Sequence, residues 1–137
     1  QRVFHVGEQG AGATIKLAVN AIVHATNQGL AEALVLAERA GVDRAAAYEV
    51  FASSAVASPF VLYKRAAFER PEDAPVAFSL DLVAKDYALI LALAERVGAV
   101  MSQATTGRAT AVAAIEAGLG RKDMSALADL LRGAADQ

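Results

Sequence analysis

The sequence predicts an all-α fold, a bundle of five or six helices around one very long central helix. Three observations predict it. Ala is abundant and Pro is scarce, with three prolines in 137 residues, which favours helix. One apolar-periodic pattern runs unbroken from about Ala13 to Ala40. Most later patterns open at a capping residue or close at a glycine. The exception is residues 2–6, where Arg2-Val3-Phe4-His5-Val6 alternates as one strand would. No partner strand follows, and one strand is not stable alone. These residues are therefore a linker, or the edge of a sheet that lies outside this chain.

Gly7, Gly10 and Gly12 make a flexible entry to the long helix, whose larger apolar positions include Ile15, Val19, Ile22, Val23, Leu30, Leu34 and Leu36. Roughly 28 residues at a rise of ~1.5 Å give about 42 Å, longer than a small domain is wide. Apolar residues occur on most sides, so the helix is expected to be central and largely buried. Gly41 ends it, and Asp43 caps a second helix over about Arg44 to Ala52. Ser53-Ser54-Ala55 is a break. Ser58-Pro59 is an N-cap followed by Pro at the first helical position, opening a helix to about Ala67. Residues 69–76 form the clearest loop. Helices then follow over about Leu80 to Val97, ended by Gly98, and about Gln103 to Ala117, ended by Gly118 and Gly120. A short one, about Ser125 to Leu131, comes after Asp123.

Composition excludes several functions. The chain is 55% hydrophobic and 20% charged, with mean hydropathy +0.35, which suits a packed core and not a disordered segment. A net charge of −2 gives no basic footprint for nucleic acid. There is no Cys, hence no disulfide scaffold, thiolate-held zinc or thiol catalysis. Two histidines, His5 and His24, lie far from metal-ligand spacing, and each is expected to be a packed or hydrogen-bonded core residue. The most apolar long window, Leu17 to Ala37, is interrupted by Asn20, His24, Asn27, Gln28 and Glu32, so no membrane partner is expected. The first residues lack the apolar run of a signal peptide. The chain opens on Gln1 without an initiator Met, as a fragment or a processed chain would.

The glycine cluster matches neither common phosphate motif. Gly7, Gly10 and Gly12 read G-x-x-G-x-G, the reverse of the dinucleotide fingerprint, and Ala13 stands where a phosphate loop needs Lys. Ser53, Ser54 and Ser58 have no nearby His–Asp pair, so a serine hydrolase is unsupported. Lys16 and Asn20 are four apart and share a helix face, which His24 and Gln28 continue. Such a stripe either runs along a solvated edge or turns inward, where it must find polar partners. A desolvated Lys beside an amide could hold a substrate oxygen and move a proton. Taken alone, Lys85-Asp86 reads as a solvated charged pair and Phe78 as a core residue.

Four stretches in order change that balance. Gly10-Ala11-Gly12-Ala13-Thr14-Ile15-Lys16-Leu17-Ala18-Val19-Asn20 reads G-x-G-x-x-x-K-x-x-x-N. Glu32-Ala33-Leu34-Val35-Leu36-Ala37 continues to Ala40-Gly41-Val42-Asp43. Phe78 stands seven residues before Lys85-Asp86-Tyr87-Ala88-Leu89, and Gly118-Leu119-Gly120 leads to Asp123-Met124-Ser125-Ala126-Leu127. Together these resemble the C-terminal domain of the 3-hydroxyisobutyrate dehydrogenase (β-hydroxyacid dehydrogenase) family over nearly the whole chain, with Tyr87 for the usual Leu.

The resemblance implies a helical domain like the C-terminal domain of 6-phosphogluconate dehydrogenase. It divides the chain into residues 1–9, the end of a preceding Rossmann domain or its linker, and 10–137, the helical dehydrogenase domain. It implies NAD or NADP, bound mainly by that preceding domain, a small hydroxy-acid substrate, and a cytoplasmic homodimer or homotetramer assembled through the helical domain. By position Lys16 matches the catalytic lysine, Asn20 and Phe78 the substrate side, and Lys85 and Asp86 the cofactor side, with no metal. The fragment alone is expected to be inactive. Two alternatives stay open: a non-catalytic helical dimerisation module, and an imine-reductase-like relative, a group that usually lacks the lysine found here as Lys16. 6-Phosphogluconate dehydrogenase itself needs a helical domain about twice the usual single-domain size.

Overall fold

The computed structural model describes residues 3–134. Six helices follow one another: α1 (Ala11–Arg39), α2 (Arg44–Ser53), α3 (Pro59–Glu69), α4 (Leu80–Val97), α5 (Ser102–Ala114) and α6 (Leu127–Ala134). A π-helical turn, Ile115–Leu119, extends α5, and a 3-10 turn, Met124–Ala126, leads into α6. This bears out the all-α expectation. Among the described residues no strand forms, only one antiparallel bridge between Ser79 and Asp123. Residues 3–6 form no strand within this chain, as a linker or the edge of an outside sheet would not; Val3 and Phe4 are 93% and 73% exposed, and Arg2 lies outside the described residues. His5 in the same segment is exposed, not a core residue.

Local chemistry sets the helix ends. The Asp43 carboxylate accepts from Ala46 N at 2.9 Å, and Ser58 Oγ from Val61 N at 3.3 Å. At the end of α1 the chain reverses through Gly41, φ +89°. Val42 N then reaches back to Ala37 O at 3.0 Å, a closure that needs the left-handed conformation.

The core has two adjoining parts. One gathers Leu30 and Leu34 of α1, Tyr48 of α2, Val61 and Phe68 of α3, and Leu127 of α6. Each large apolar side chain buried there contributes roughly 1.5–3 kcal/mol. The other packs Ala21 of α1 and Val83, Tyr87 and Ile90 of α4 against Ala104 and Ala111 of α5. Gly107 lets α5 close onto α4, since a Cβ there would collide with the Tyr87 ring. At the bottom of the bundle Glu38 accepts from Arg132 Nε at 2.7 Å and also pairs with Arg44, tying α6 to the end of α1.

The long helix runs unbroken, as expected, but it is not largely buried. Ile15, Val19, Ile22 and Leu36 are 48%, 51%, 68% and 72% exposed. With Thr26, Gly29 and Ala33 they fall at alternating steps of four and three, one continuous stripe on the outer face. The other helices leave both ends of this stripe open, and α2 and α3 flank its middle across a groove. No helix among the described residues is long and apolar enough to cross a membrane.

Candidate functional site

The stripe that begins at Lys16 divides along its length. Lys16 is exposed, Asn20 is half-buried, and His24 and Gln28 are buried. The inner residues of the stripe find their partner on α4. Asn20 Nδ2 donates to Asp86 Oδ2 of α4 at 2.8 Å, and His24 Nε2 lies 3.1 Å from the same oxygen. Asp86 is thus not a solvated residue; it is the seam between the two helices. Gln28 turns instead to Glu32 Oε1, at 2.8 Å.

Burial strips water from His24 and holds its pKa below the ordinary value, against the pull of the Asp86 carboxylate. The ring packs against Phe78, centroids 5.7 Å apart, and Tyr87, 5.3 Å. His24 therefore bears out the reading of a hydrogen-bonded core histidine. Phe78 is half-buried at the same seam.

Phe78 is held there by a clip. Asp123 Oδ2 accepts from Ala77 N at 3.0 Å and Phe78 N at 3.3 Å, and Oδ1 from Ser125 N at 3.0 Å. Lys64 Nζ donates to both oxygens, at 2.7 and 2.8 Å. Met124 N in turn donates to Phe78 O at 2.8 Å, and Asn27 Nδ2 to Met124 O at 2.9 Å. Burial works against the charge on Asp123, yet Lys64 and the Ser125 N–H hold its carboxyl below the usual range. The next residue, Ser79, caps α4, its Oγ accepting from Leu82 N at 3.4 Å. The clip thus fixes both Phe78 and the start of the helix that carries Lys85 and Asp86. Sequence reasoning missed Lys64. Its only signal was a charge on the apolar face of α3, in line with Val61, Ala67 and Phe68.

Asn20, His24, Phe78 and Asp86 are therefore brought into one contiguous cluster. Lys16 stands one helical turn outside it on α1, and Lys85 beside it on α4. Both ammonium groups are exposed, and among the described residues neither has an ion-pair partner. The arrangement is a hydrogen-bonded carboxylate and amide, with an exposed lysine four residues before the amide and another next to the carboxylate in sequence. It is an open edge of the domain. One groove, of about 550 Å³, runs between the start of α1 and the end of α4, beside Thr14, Leu17 and Leu93; others lie elsewhere, one of about 690 Å³ beside Leu30, Phe51 and Val56, and one of about 410 Å³ beside Pro71 and Asp129. No cluster of His, Asp and Glu able to hold a metal occurs among the described residues.

Comparison with known proteins adds four findings. A family profile described as the NAD-binding domain of NADP-dependent 3-hydroxyisobutyrate dehydrogenase matches residues 10–131. The chloroplastic glyoxylate/succinic semialdehyde reductase 2 of Arabidopsis thaliana is 32% identical over 131 residues, 96% of this chain and 36% of the relative. The 2-(hydroxymethyl)glutarate dehydrogenase of Eubacterium barkeri is 30% identical over 125 residues, 91% of this chain and 42% of the relative. Among solved structures, a 3-hydroxyisobutyrate dehydrogenase from Salmonella typhimurium superposes with a TM-score of 0.88 at 25% identity, covering 95% of this chain and 46% of that one. The chain spans less than half the length of each of these proteins.

Proposed function

The chain belongs to the NAD-binding domain family of NADP-dependent 3-hydroxyisobutyrate dehydrogenase, and from that membership we propose that it is the helical part of an NAD(P)-dependent dehydrogenase of short hydroxy acids. Residues 10–137 are that part, and residues 1–9 lead in from a nucleotide-binding half. The observation that carries the reading is the Asn20–Asp86 hydrogen bond, which joins the helix that carries Lys16 to the helix that carries Lys85, both lysines being exposed.

The donor set fits a dinucleotide and a hydroxy acid, both anionic. When bound, the nicotinamide supplies the acceptor or donor of hydride. Lys16 Nζ, as the neutral amine, takes the hydroxyl proton during oxidation and, as the ammonium so formed, returns it during reduction. Asp86 accepts only, so it takes one hydrogen of Asn20 Nδ2 and leaves the other to hold the substrate oxygen. Lys85 pairs with the cofactor's negative charge. Phe78, held by the Asp123 clip, keeps water from the reacting oxygen. Most of the chain's contribution is positioning.

The same reading includes assembly. The outer stripe of α1, with Ile15, Val19, Ile22 and Leu36 exposed, supports a homodimer or homotetramer that covers it. Small residues at Gly29 and Ala33 would allow close approach of a second helix.

The test is steady-state kinetics of the full-length protein with short hydroxy acids and each nicotinamide cofactor. Lys16→Ala lowers kcat by at least ~10²-fold if Lys16 transfers the proton. Because Lys16 is exposed, the variant keeps its helical circular dichroism and Tm. Near-normal turnover in Lys16→Ala would remove the lysine from the reaction.

A further inference from the structure

The proposed reaction leaves His24 unused. Its side chain is only 3% exposed, wedged between Phe78 and Tyr87, where an apolar residue would pack without losing hydration. The imidazole instead aims Nε2 at Asp86 Oδ2, the oxygen that also accepts from Asn20. A carboxylate only accepts, so Nε2 carries the hydrogen. Burial disfavours the imidazolium, so Nδ1 is a bare acceptor. Nδ1 is indeed buried with no hydrogen-bond partner. Proteins leave a buried acceptor unpaired more readily than a buried N–H, which favours the same tautomer.

The order of bonds has a consequence for Asn20. With two donors on Oδ2, the Asp86 carboxylate is fixed on its inner side. Remove the imidazole and one donor remains; the half-buried carboxylate is then free to turn toward water and take the Asn20 amide with it. We propose that His24 is a positioning residue: as the neutral Nε2–H tautomer it fixes the Asp86 carboxylate and, through it, the Asn20 amide beside Lys16. The consequence for turnover rests on the dehydrogenase reading; the hydrogen-bond order does not.

Nitrogen NMR of the isotopically labelled chain at neutral pH tests the order directly. His24 is expected to show a protonated Nε2 and a bare Nδ1 in a single tautomer. His24→Leu shifts the Asn20 side-chain amide resonances and speeds their exchange with water, and His24→Gln, which restores an N–H at similar reach, reverses both. A protonated Nδ1, a mixture of tautomers, or an Asn20 amide indifferent to His24→Leu would overturn the proposal. In the full-length enzyme His24→Leu lowers kcat by up to ~10²-fold with the cofactor KM unchanged, and His24→Gln recovers most of it. A kcat for His24→Leu within about twofold of wild type, with the amide shift present, overturns the functional half. A full-length protein with no hydroxy-acid turnover would instead remove the dehydrogenase reading, while the nitrogen spectra still decide the tautomer.

Discussion

Substituting Asp123 removes the acceptor on which the clip converges. Lys64 Nζ and the Ala77, Phe78 and Ser125 backbone N–H groups all lose their acceptor in Asp123→Ala. Lys64 is 1% exposed, so its ammonium is left buried and unpaired, a change that costs about 3–5 kcal/mol. At roughly 3–5 °C per kcal/mol for a chain of this size, Tm falls by about 10–20 °C. The reciprocal change is milder. Lys64→Met removes the charge partner but leaves the carboxylate three backbone donors, so about 1–3 kcal/mol is lost. Thermal and guanidinium unfolding followed by circular dichroism read both. The folded Asp123 carboxyl lies below the unfolded value of ~3.9. Its stabilising contribution is therefore complete well above that value and is lost as pH falls through the folded pKa. The gap between wild type and Asp123→Ala accordingly narrows below about pH 4. A Lys64→Met loss equal to or larger than that of Asp123→Ala would refute the reasoning, as would a gap that widens in acid.

Further outcomes follow from packing. Ile22→Glu places a charge in the middle of the exposed α1 stripe and should convert the assembled protein to monomer in light scattering at micromolar concentration; a wild-type protein that is already monomeric defeats the expectation. Gly107→Ala drives a Cβ into the Tyr87 ring and should cost about 1–3 kcal/mol, read by chemical denaturation; an unchanged midpoint would mean that the α4–α5 contact is looser than described. Gly41→Ala forces a Cβ into the left-handed region at φ +89° and should cost roughly 1–2 kcal/mol, with hydrogen exchange accelerating first at Val42 and neighbouring amides.

Much of this was legible in sequence where the cause is local. Asp43, Ser58 and Gly98 set helix ends through contacts within a few residues, and α4 spans Leu80–Val97, as the pattern predicts. The π-turn was not legible: the pattern carries α5 on to about Ala117, whereas regular helix stops at Ala114. The α1 stripe misled for a different reason. Ile15, Val19 and Ile22 are apolar whether they face their own core or another chain, and periodicity cannot distinguish the two. At the candidate site, helical spacing put Lys16, Asn20 and His24 in line, but not which of them is exposed and which buried. Spacing on one helix likewise says nothing about Asp86, 62 residues beyond His24. Lys85 and Asp86 looked like one charged pair, yet adjacent residues diverge on a helix, and here one is exposed while the other is inside the seam.

The span of the clip bears on the order in which the chain is assembled. Asp123 binds groups 46 and 59 residues earlier, and Met124 is held by an amide 97 residues earlier. During synthesis at ~5–20 residues per second, Lys64 emerges roughly 3–12 s before its carboxylate exists. Through that interval its ammonium must stay hydrated, so the face of α3 that carries Val61 and Phe68 stays open. Closing such distant contacts is also slow in the complete chain, because loop-closure entropy is lost before the contacts repay it. The half-made domain is therefore exposed to proteases and chaperones until residue 123 appears. Limited proteolysis of ribosome-bound chains of increasing length should show protection of α3 arising in one step after that residue is free; gradual protection from shorter lengths would place the docking of α3 before the clip.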